Sequence, residues 1–183
     1  DPNNYFFYVQ ANTTVGFGFA RNDTQVAKFT KSLTTGIQLI SIPLILNNTN
    51  ISNVLQTLDF EVAWYYNNTD VLDPWKSYNP SKPFNDLTTI NRTMALWVNV
   101  TEDSNLTVAG IVPKITNIQL KQGWNFVGYP SFIERTVAET LSGVDYERIE
   151  GYSLSSPEYL KIYSDSDLMV PGHGYWIKVS GDA

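Results

Sequence analysis

Asparagine is the residue type in this chain whose spacing most directly implies a chemistry. Eight of its asparagines begin the triplet Asn-X-Ser/Thr with X other than proline, more than the composition gives by chance. This triplet is the acceptor signal for covalent N-linked glycans, and it marks exposed loops of secreted proteins. We therefore predict a glycosylated chain that is extracellular or on a cell surface. The sequons begin at Asn12, Asn22, Asn47, Asn50, Asn67, Asn91, Asn99 and Asn105.

The sequons are confined to one part of the chain. All eight begin at or before Asn105, and residues 106–183 contain none. A surface without glycans can make close contacts that a sugar would block. The distribution is therefore compatible with one sugar-coated half and one bare half. Drift of composition along the chain explains it equally well.

Two acidic residues and one histidine are the other candidates for chemistry. Asp165 and Asp167 are spaced like two ligands of a calcium loop, but no suitably placed glycine and no distal glutamate complete such a loop. A turn held by side-chain to backbone hydrogen bonds is the favoured interpretation. His173 is the only histidine, and no cysteine is available as a nucleophile beside it. We predict no catalytic residues, no cofactor and no enzymatic activity.

The five tryptophans raise the alternative of a carbohydrate-binding or adhesive module. Aromatic faces can stack on sugars, and Trp75, in the segment Asp-Pro-Trp-Lys, is the best candidate for such exposure. Trp97 and Trp176 occupy matching places in an internal repeat, which favours a role in the core.

Composition excludes several classes of partner. The formal net charge of −6 and the absence of a Lys/Arg cluster argue against binding to nucleic acid. No apolar run is long enough for a membrane-spanning helix. With 43% hydrophobic and 14% aromatic residues, the chain can build a packed core.

An internal repeat organises the chain. LTTGIQLISIPL, which begins at Leu33, matches LKQGWNFVGYPS, which begins at Leu120. Gly36 aligns with Gly123, and Pro43 aligns with Pro130. Further on, LWVNV around Trp97 matches YWIKV around Trp176. We predict an N-terminal hairpin or donor segment over 1–32, a first β-rich repeat over 33–112 and a second over 113–183.

Short segments rich in β-branched and aromatic residues, separated by Gly, Pro, Asn and Asp, predict a mostly β fold. Each repeat also carries one short helix with a capping-box spacing at its start, Asn53 with Gln56 in the first repeat and Thr136 with Glu139 in the second. The predicted strands lie near 5–10, 14–20, 37–43, 61–66, 75–78, 94–100, 105–112, 115–120, 124–129, 148–153, 159–163 and 174–179.

The second repeat resembles a known class of protein. Gly123-Trp124-Asn125 followed by Phe-Val-Gly-Tyr-Pro, and later Gly174-Tyr175-Trp176, is similar to the GWN…GYW tandem motif of secreted cell-surface repeat proteins of archaea and some bacteria. The first repeat departs from the motif, with Ile-Gln in place of Trp-Asn and Ala-Leu-Trp in place of Gly-Tyr-Trp. The resemblance implies an extracellular, S-layer-like structural role, an archaeal source and no enzymatic activity.

The repeats are unequal at their ends. The first continues past its Trp97 strand into a strand near 105–110, whereas the second stops after its Trp176 strand. We expect the Trp176 strand to need a covering strand, which residues 5–20 can supply. They can close their own chain or add to repeat 2 of a neighbouring copy, and we favour the second arrangement. The chain would then be its own partner in a self-assembled layer, sheath or filament.

Overall fold

The computed structural model of the protein describes residues 4–6, 25–153 and 159–183. It confirms a mostly β fold with several antiparallel sheets and two short helices, α1 (Ile51–Val54) and α2 (Val137–Thr140). The strands are β1 (Asn4–Phe6), β2 (Gln25–Leu33), β3 (Gly36–Ser41), β4 (Phe60–Tyr66), β5 (Trp75–Tyr78), β6 (Ala95–Val100), β7 (Ser104–Ile111), β8 (Gly123–Gly128), β9 (Arg135–Thr136), β10 (Tyr146–Tyr152), β11 (Leu160–Ile162), β12 (Leu168–Met169) and β13 (Gly174–Val179).

The two repeats build sheets of the same order. The first sheet runs β3-β6-β4-β5 and the second runs β8-β13-β10-β11, so each strand has a counterpart in the other sheet. The registers agree as well, since Leu39 lies opposite Trp97 and its counterpart Phe126 lies opposite Trp176. Trp97 and Trp176 therefore occupy equivalent positions in central strands.

A shared irregularity supports this equivalence. The pairing of β4 with β6 shifts between Phe60 and Val62, and that of β10 with β13 shifts between Tyr146 and Arg148. The residue left over is a glutamate in both cases, Glu61 and Glu147. An inserted residue of this kind is a β-bulge, which bends the strand and increases its twist.

The helix caps agree with the sequence in one repeat and differ in the other. Thr136 caps α2 as predicted, with the reciprocal hydrogen bonds of a capping box to Glu139. In the first repeat the cap is Asn50, not Asn53, and Asn50 accepts from the backbone N–H of Ser52. The earlier start buries Ile51 and Val54 in the core, which outweighs the capping-box spacing at Asn53.

A third sheet of order β1-β2-β7 includes a strand that the sequence prediction missed. In β2 the residues Ala27, Phe29 and Leu33 point inward and are buried, but Lys31 occupies the inward position between Phe29 and Leu33 and breaks the apolar alternation. The predicted strand at 115–120 was wrong, because that segment is irregular.

The N-terminal prediction agrees with the structure in part. The backbone of β1 pairs antiparallel with β2 of the same chain. The rest of the proposed covering segment, residues 7–20, lies outside the described residues. The expected open edge was wrong, because β13 pairs on one side with β8 and on the other with β10. The segment near 105–110 belongs to β7, which pairs with β2 in the third sheet and not with the Trp97 strand.

The two repeats contact each other reciprocally. Ile40 forms a bridge with His173, and their counterparts Val127 and Met94 form the equivalent bridge. The backbone N–H of Ser41 donates to the carbonyl of Gly172 at 3.0 Å, and that of its counterpart Gly128 donates to Thr93 at 2.9 Å. Such exchanged contacts are what an approximate two-fold relation between the repeats requires.

Three apolar clusters hold this arrangement. One lies between the first sheet, α1, β2 and β7, and one lies beneath the second sheet. The third joins the two repeats and consists of Leu39, Ala95 and Phe126 with flanking aromatic rings. Across the described part of the chain, no helix has the length and apolar character needed to cross a membrane.

Candidate functional site: glycan acceptors and the aromatic cluster

Three sequons share one local geometry. Asn50, Asn67 and Asn91 each lie in a turn where Oδ1 accepts two hydrogen bonds from the Ser or Thr two residues later. One bond comes from the backbone N–H and the other from the hydroxyl, at distances between 2.6 and 3.1 Å. This is the Asx-turn that asparagine favours in loops.

The geometry suits the chemistry of a glycan acceptor. An asparagine amide has one oxygen that accepts and one nitrogen that donates. Because the sequon's own hydroxyl and N–H hold the oxygen, Nδ2 is left as the atom that can form the bond to the sugar. Asn50 and Asn91 are exposed and Asn67 is half-buried.

The other described sequons differ. Asn99 lies within the central strand β6, and its Nδ2 donates to the carboxylate of Glu61 at 2.9 Å. Asn105 lies in β7, is exposed, and accepts a hydrogen bond from the hydroxyl of Ser32 at 2.7 Å. Asn47 is exposed in the segment between β3 and α1. Asn12 and Asn22 lie outside the described residues.

The tryptophans belong to an aromatic cluster between the two sheets. Trp97 contacts Tyr152 of the second repeat with ring centroids 5.0 Å apart, and Trp176 contacts Tyr66 of the first repeat at 5.2 Å. These two pairs are counterparts under the repeat. The ring of Phe126 stacks on Trp176 at 4.5 Å. The cluster therefore acts first as the joint between the repeats.

Trp75 is the most exposed tryptophan, as its sequence context predicted. It lies on the outer strand β5 and is 46% exposed. Its ring also packs 5.2 Å from Tyr66 and 6.0 Å from Trp176, both centroid to centroid. Part of the indole thus packs against the cluster while the rest meets solvent.

The asparagine of the GWN motif has a structural role that the sequence did not reveal. Asn125 is buried, its Oδ1 accepts from the backbone N–H of Lys121, and its Nδ2 donates to the Lys121 carbonyl, both at 2.8 Å. The amide of Asn68, in the first repeat, also donates to Oδ1 of Asn125 at 2.6 Å. Gln38 occupies the equivalent position and donates to the carbonyl of Thr34 at 2.7 Å.

Gln38 therefore replaces Asn125 in function as well as in position. Each side chain reaches back four residues to hold the turn that precedes its strand. That turn ends in a glycine with positive φ, 115° at Gly36 and 91° at Gly123. The first repeat thus keeps the bond to the carbonyl four residues earlier, whereas Asn125 also accepts from the backbone N–H of that residue.

Asp165 and Asp167 make hydrogen bonds within the protein. Oδ1 of Asp167 pairs with the ammonium of Lys161 at 2.8 Å, and its Oδ2 accepts from the backbone N–H and hydroxyl of Ser164. These interactions hold the pKa of Asp167 well below its usual range. Asp165 accepts from the hydroxyl of Tyr146 at 2.6 Å. Within residues 25–153 and 159–183, no three His, Asp or Glu side chains cluster closely enough to hold a metal ion.

His173 lies in the contact between β2 and the second repeat. Burial, together with the smaller effect of the positive charge of Lys31, lowers the pKa of His173 to about 4. Burial also lowers the pKa of Lys31, to about 8. The charged group that acts on His173 is thus a cation, Lys31.

The structure also contains a cleft of about 570 Å³ beside this contact. Its walls come from the start of β2, from the segment after β7, from residues 129–133 and from the end of α2. Nothing in this lining points to a particular ligand. No protein-family model, curated protein or solved structure matches this chain.

Proposed function

We propose that this chain is an extracellular, N-glycosylated structural protein that assembles with copies of itself into a cell-surface layer, sheath or filament. The observation that carries the proposal is the shared turn at Asn50, Asn67 and Asn91, where, among the described residues, Nδ2 makes no hydrogen bond at any of the three acceptors. The excess of sequons in the sequence and the acceptor geometry of three of them in the fold both favour a glycosylated surface.

The construction of the fold is compatible with this role. The chain contains no cysteine, so its stability depends on three apolar clusters and on the aromatic contact between repeats. A rigid pair of joined repeats suits a building block of a surface layer. The resemblance of the second repeat to the GWN…GYW motif favours the same class of protein.

Intact-mass measurement of the protein from its native host tests the glycan part of the proposal. We expect at least four of the eight sequons to be occupied, which would raise the mass well above the 20.7 kDa of the bare chain. A mass equal to that of the bare chain would refute glycosylation and remove most of the argument for the extracellular location. Negative-stain microscopy of native material tests assembly, with ordered arrays or fibres as the expected result.

A carbohydrate-binding or adhesive module is the second candidate, and the partly exposed ring of Trp75 favours it. Quenching of tryptophan fluorescence by sugars, or a signal on a glycan array, would support this function. Trp75→Ala should then abolish the signal, whereas Phe84→Ala, which removes an aromatic ring that is 89% exposed elsewhere, should not.

A further inference from the structure

The outer edges of the two repeat sheets are not equally protected. In the first repeat, the backbone N–H of Ser77 on β5 donates to Asp86 at 2.6 Å, and its carbonyl accepts from the N–H of Leu87 at 3.0 Å. The connection from β5 to β6 therefore folds over this edge. Proteins cover strand edges in this way because unpaired N–H and C=O groups can recruit another strand.

Within residues 25–153 and 159–183, the equivalent edge of the second repeat lacks this cover. Ile162 on β11 is the counterpart of Ser77, since Ser77 lies opposite Trp64 and Ile162 opposite Glu150. The connection that follows β11 turns instead towards α2. There the backbone carbonyls of Asp165 and Asp167 accept from the backbone N–H groups of residues 138 and 137, respectively. Within the described part of the chain, no hydrogen bond reaches the outward N–H and C=O groups of Leu160 and Ile162.

The side chains of this edge are apolar and exposed. Leu160 is 48% exposed and Ile162 is 56% exposed, on the same face of the strand. Lys161 between them points to the other face, and its charge is paired with Asp167 at 2.8 Å. The edge lies in the half of the sequence that has no sequon. It therefore combines free backbone groups, apolar side chains and the absence of an acceptor for a bulky glycan.

The opposite edges of the two repeat sheets, formed by β8 and β3, already make contacts of their own, which limits their pairing with β11. The backbone carbonyl of Trp124 on β8 accepts from the side-chain amide of Asn68, and Val127 on the same strand forms a β-bridge with Met94. In the first repeat, Ser41 at the end of β3 donates to Gly172. A head-to-tail pairing of β11 with one of these edges would have to displace existing bonds. Pairing with a second β11 displaces none.

We propose that β11 is a self-association edge, which pairs antiparallel with β11 of a second copy of this chain about a two-fold axis at Lys161. Leu160 of each copy then lies opposite Ile162 of the other copy. In both of these pairs the outward N–H and C=O groups of the two residues can exchange N–H···O bonds. The two four-stranded sheets join into one of eight strands. The contact is isologous, since the same three residues serve on both sides. This inference rests on the self-assembly part of the proposed function and identifies β11 as the strand through which two copies associate.

Light scattering of the full chain over a range of concentrations tests the contact. Ile162→Lys places a charge on the apolar face and should weaken dimerisation at least ten-fold. Leu168→Lys is the matched control, because Leu168 is 46% exposed but lies on β12, which pairs with β9 and is not part of the β11 strand. It should dimerise like the unchanged chain.

Cysteine cross-linking tests the register, since the chain has no cysteine of its own. The double substitution Leu160→Cys with Ile162→Cys should give a disulfide-linked dimer on oxidation, because opposed residues in an antiparallel pair lie close enough for a disulfide. Each single substitution should remain unlinked, because residue 160 of one copy faces residue 162, and not residue 160, of the other copy.

The outcomes separate the two proposals. If Ile162→Lys dimerises normally, or the double cysteine variant stays unlinked, the β11 contact is overturned while assembly through another surface stands. If the unchanged chain is monomeric at every concentration, both the contact and the assembly part of the proposed function are overturned. Glycan occupancy, read by mass, is unaffected by either result.

Discussion

Nδ2 of Asn99 donates a hydrogen bond to the carboxylate of Glu61 at 2.9 Å, and this bond separates Asn99 from the other sequons. Lys178 occupies the equivalent position in the second repeat and forms an ion pair with Glu147, the counterpart of Glu61. Each repeat thus holds its bulged glutamate with a donor from the central strand. In the first repeat that donor happens to begin a sequon.

Site occupancy should follow this difference. We expect glycans on Asn50, Asn67 and Asn91, where Nδ2 is free, and little or none on Asn99, where Nδ2 is engaged within a central strand. Glycopeptide mass spectrometry of the native protein gives occupancy for each site. Full occupancy at Asn99 with the three turn sequons empty would show that the folded geometry does not select the acceptor.

The buried amide of Asn125 should be more important for stability than its counterpart Gln38. Asn125→Ala leaves the N–H and carbonyl of Lys121 without their partner, which costs about 2 kcal/mol for buried groups. Gln38→Ala removes an equivalent hydrogen bond in a more exposed setting, so we expect a loss of about 0.5–1 kcal/mol. Urea unfolding of both variants measures the difference. Equal losses would contradict a special role for the GWN asparagine.

The contact between repeats should depend on Trp176 far more than on Trp75. Trp176 stacks on Phe126 and touches Tyr66, so Trp176→Ala should cost about 3–5 kcal/mol, as is usual for truncation of a packed tryptophan. Trp75 is already 46% exposed, and Trp75→Ala should cost clearly less. Denaturant unfolding of the two variants makes the comparison. A larger loss for Trp75→Ala would show that the outer ring, and not Trp176, joins the repeats.

His173 should titrate near pH 4, because burial and the charge of Lys31 lower its pKa from the ordinary value of 6.5. The unfolded chain takes up this proton first as the pH falls. The stability linked to His173 is therefore fully present above about pH 6.5 and is lost as the pH falls through about 4. Since the sequence has one histidine, its proton NMR signal reports the titration directly.

Lys31→Met provides the matched test of that environment. Removing the nearby positive charge should raise the pKa of His173, visible as an upward shift of the NMR titration midpoint. Replacing a half-buried ammonium by an apolar side chain of similar length should also stabilise the fold at pH 7 by roughly 1 kcal/mol. An unchanged midpoint would mean that burial alone sets the pKa of His173.

The sequence alone predicted the features that arise from local pattern. Alternating apolar residues identified most strands, the spacing of Thr136 and Glu139 identified the cap of α2, and the matching segments around Trp97 and Trp176 identified a repeat whose two sheets share order and register. Each of these depends on residues close together in the chain, or on a pattern that occurs twice.

Tertiary contacts decided the rest. Strand β2 escaped prediction because Lys31 takes an inward position that packing against the second repeat makes tolerable. The start of α1 moved to Asn50 because burial of Ile51 and Val54 is a long-range effect. Which sequons offer a free nitrogen depends on partners such as Glu61, 38 residues from Asn99 in the chain. The exposed edge of β11 is visible only by comparison with the covered edge of β5, because strand order brings those groups to the surface and local sequence does not encode it.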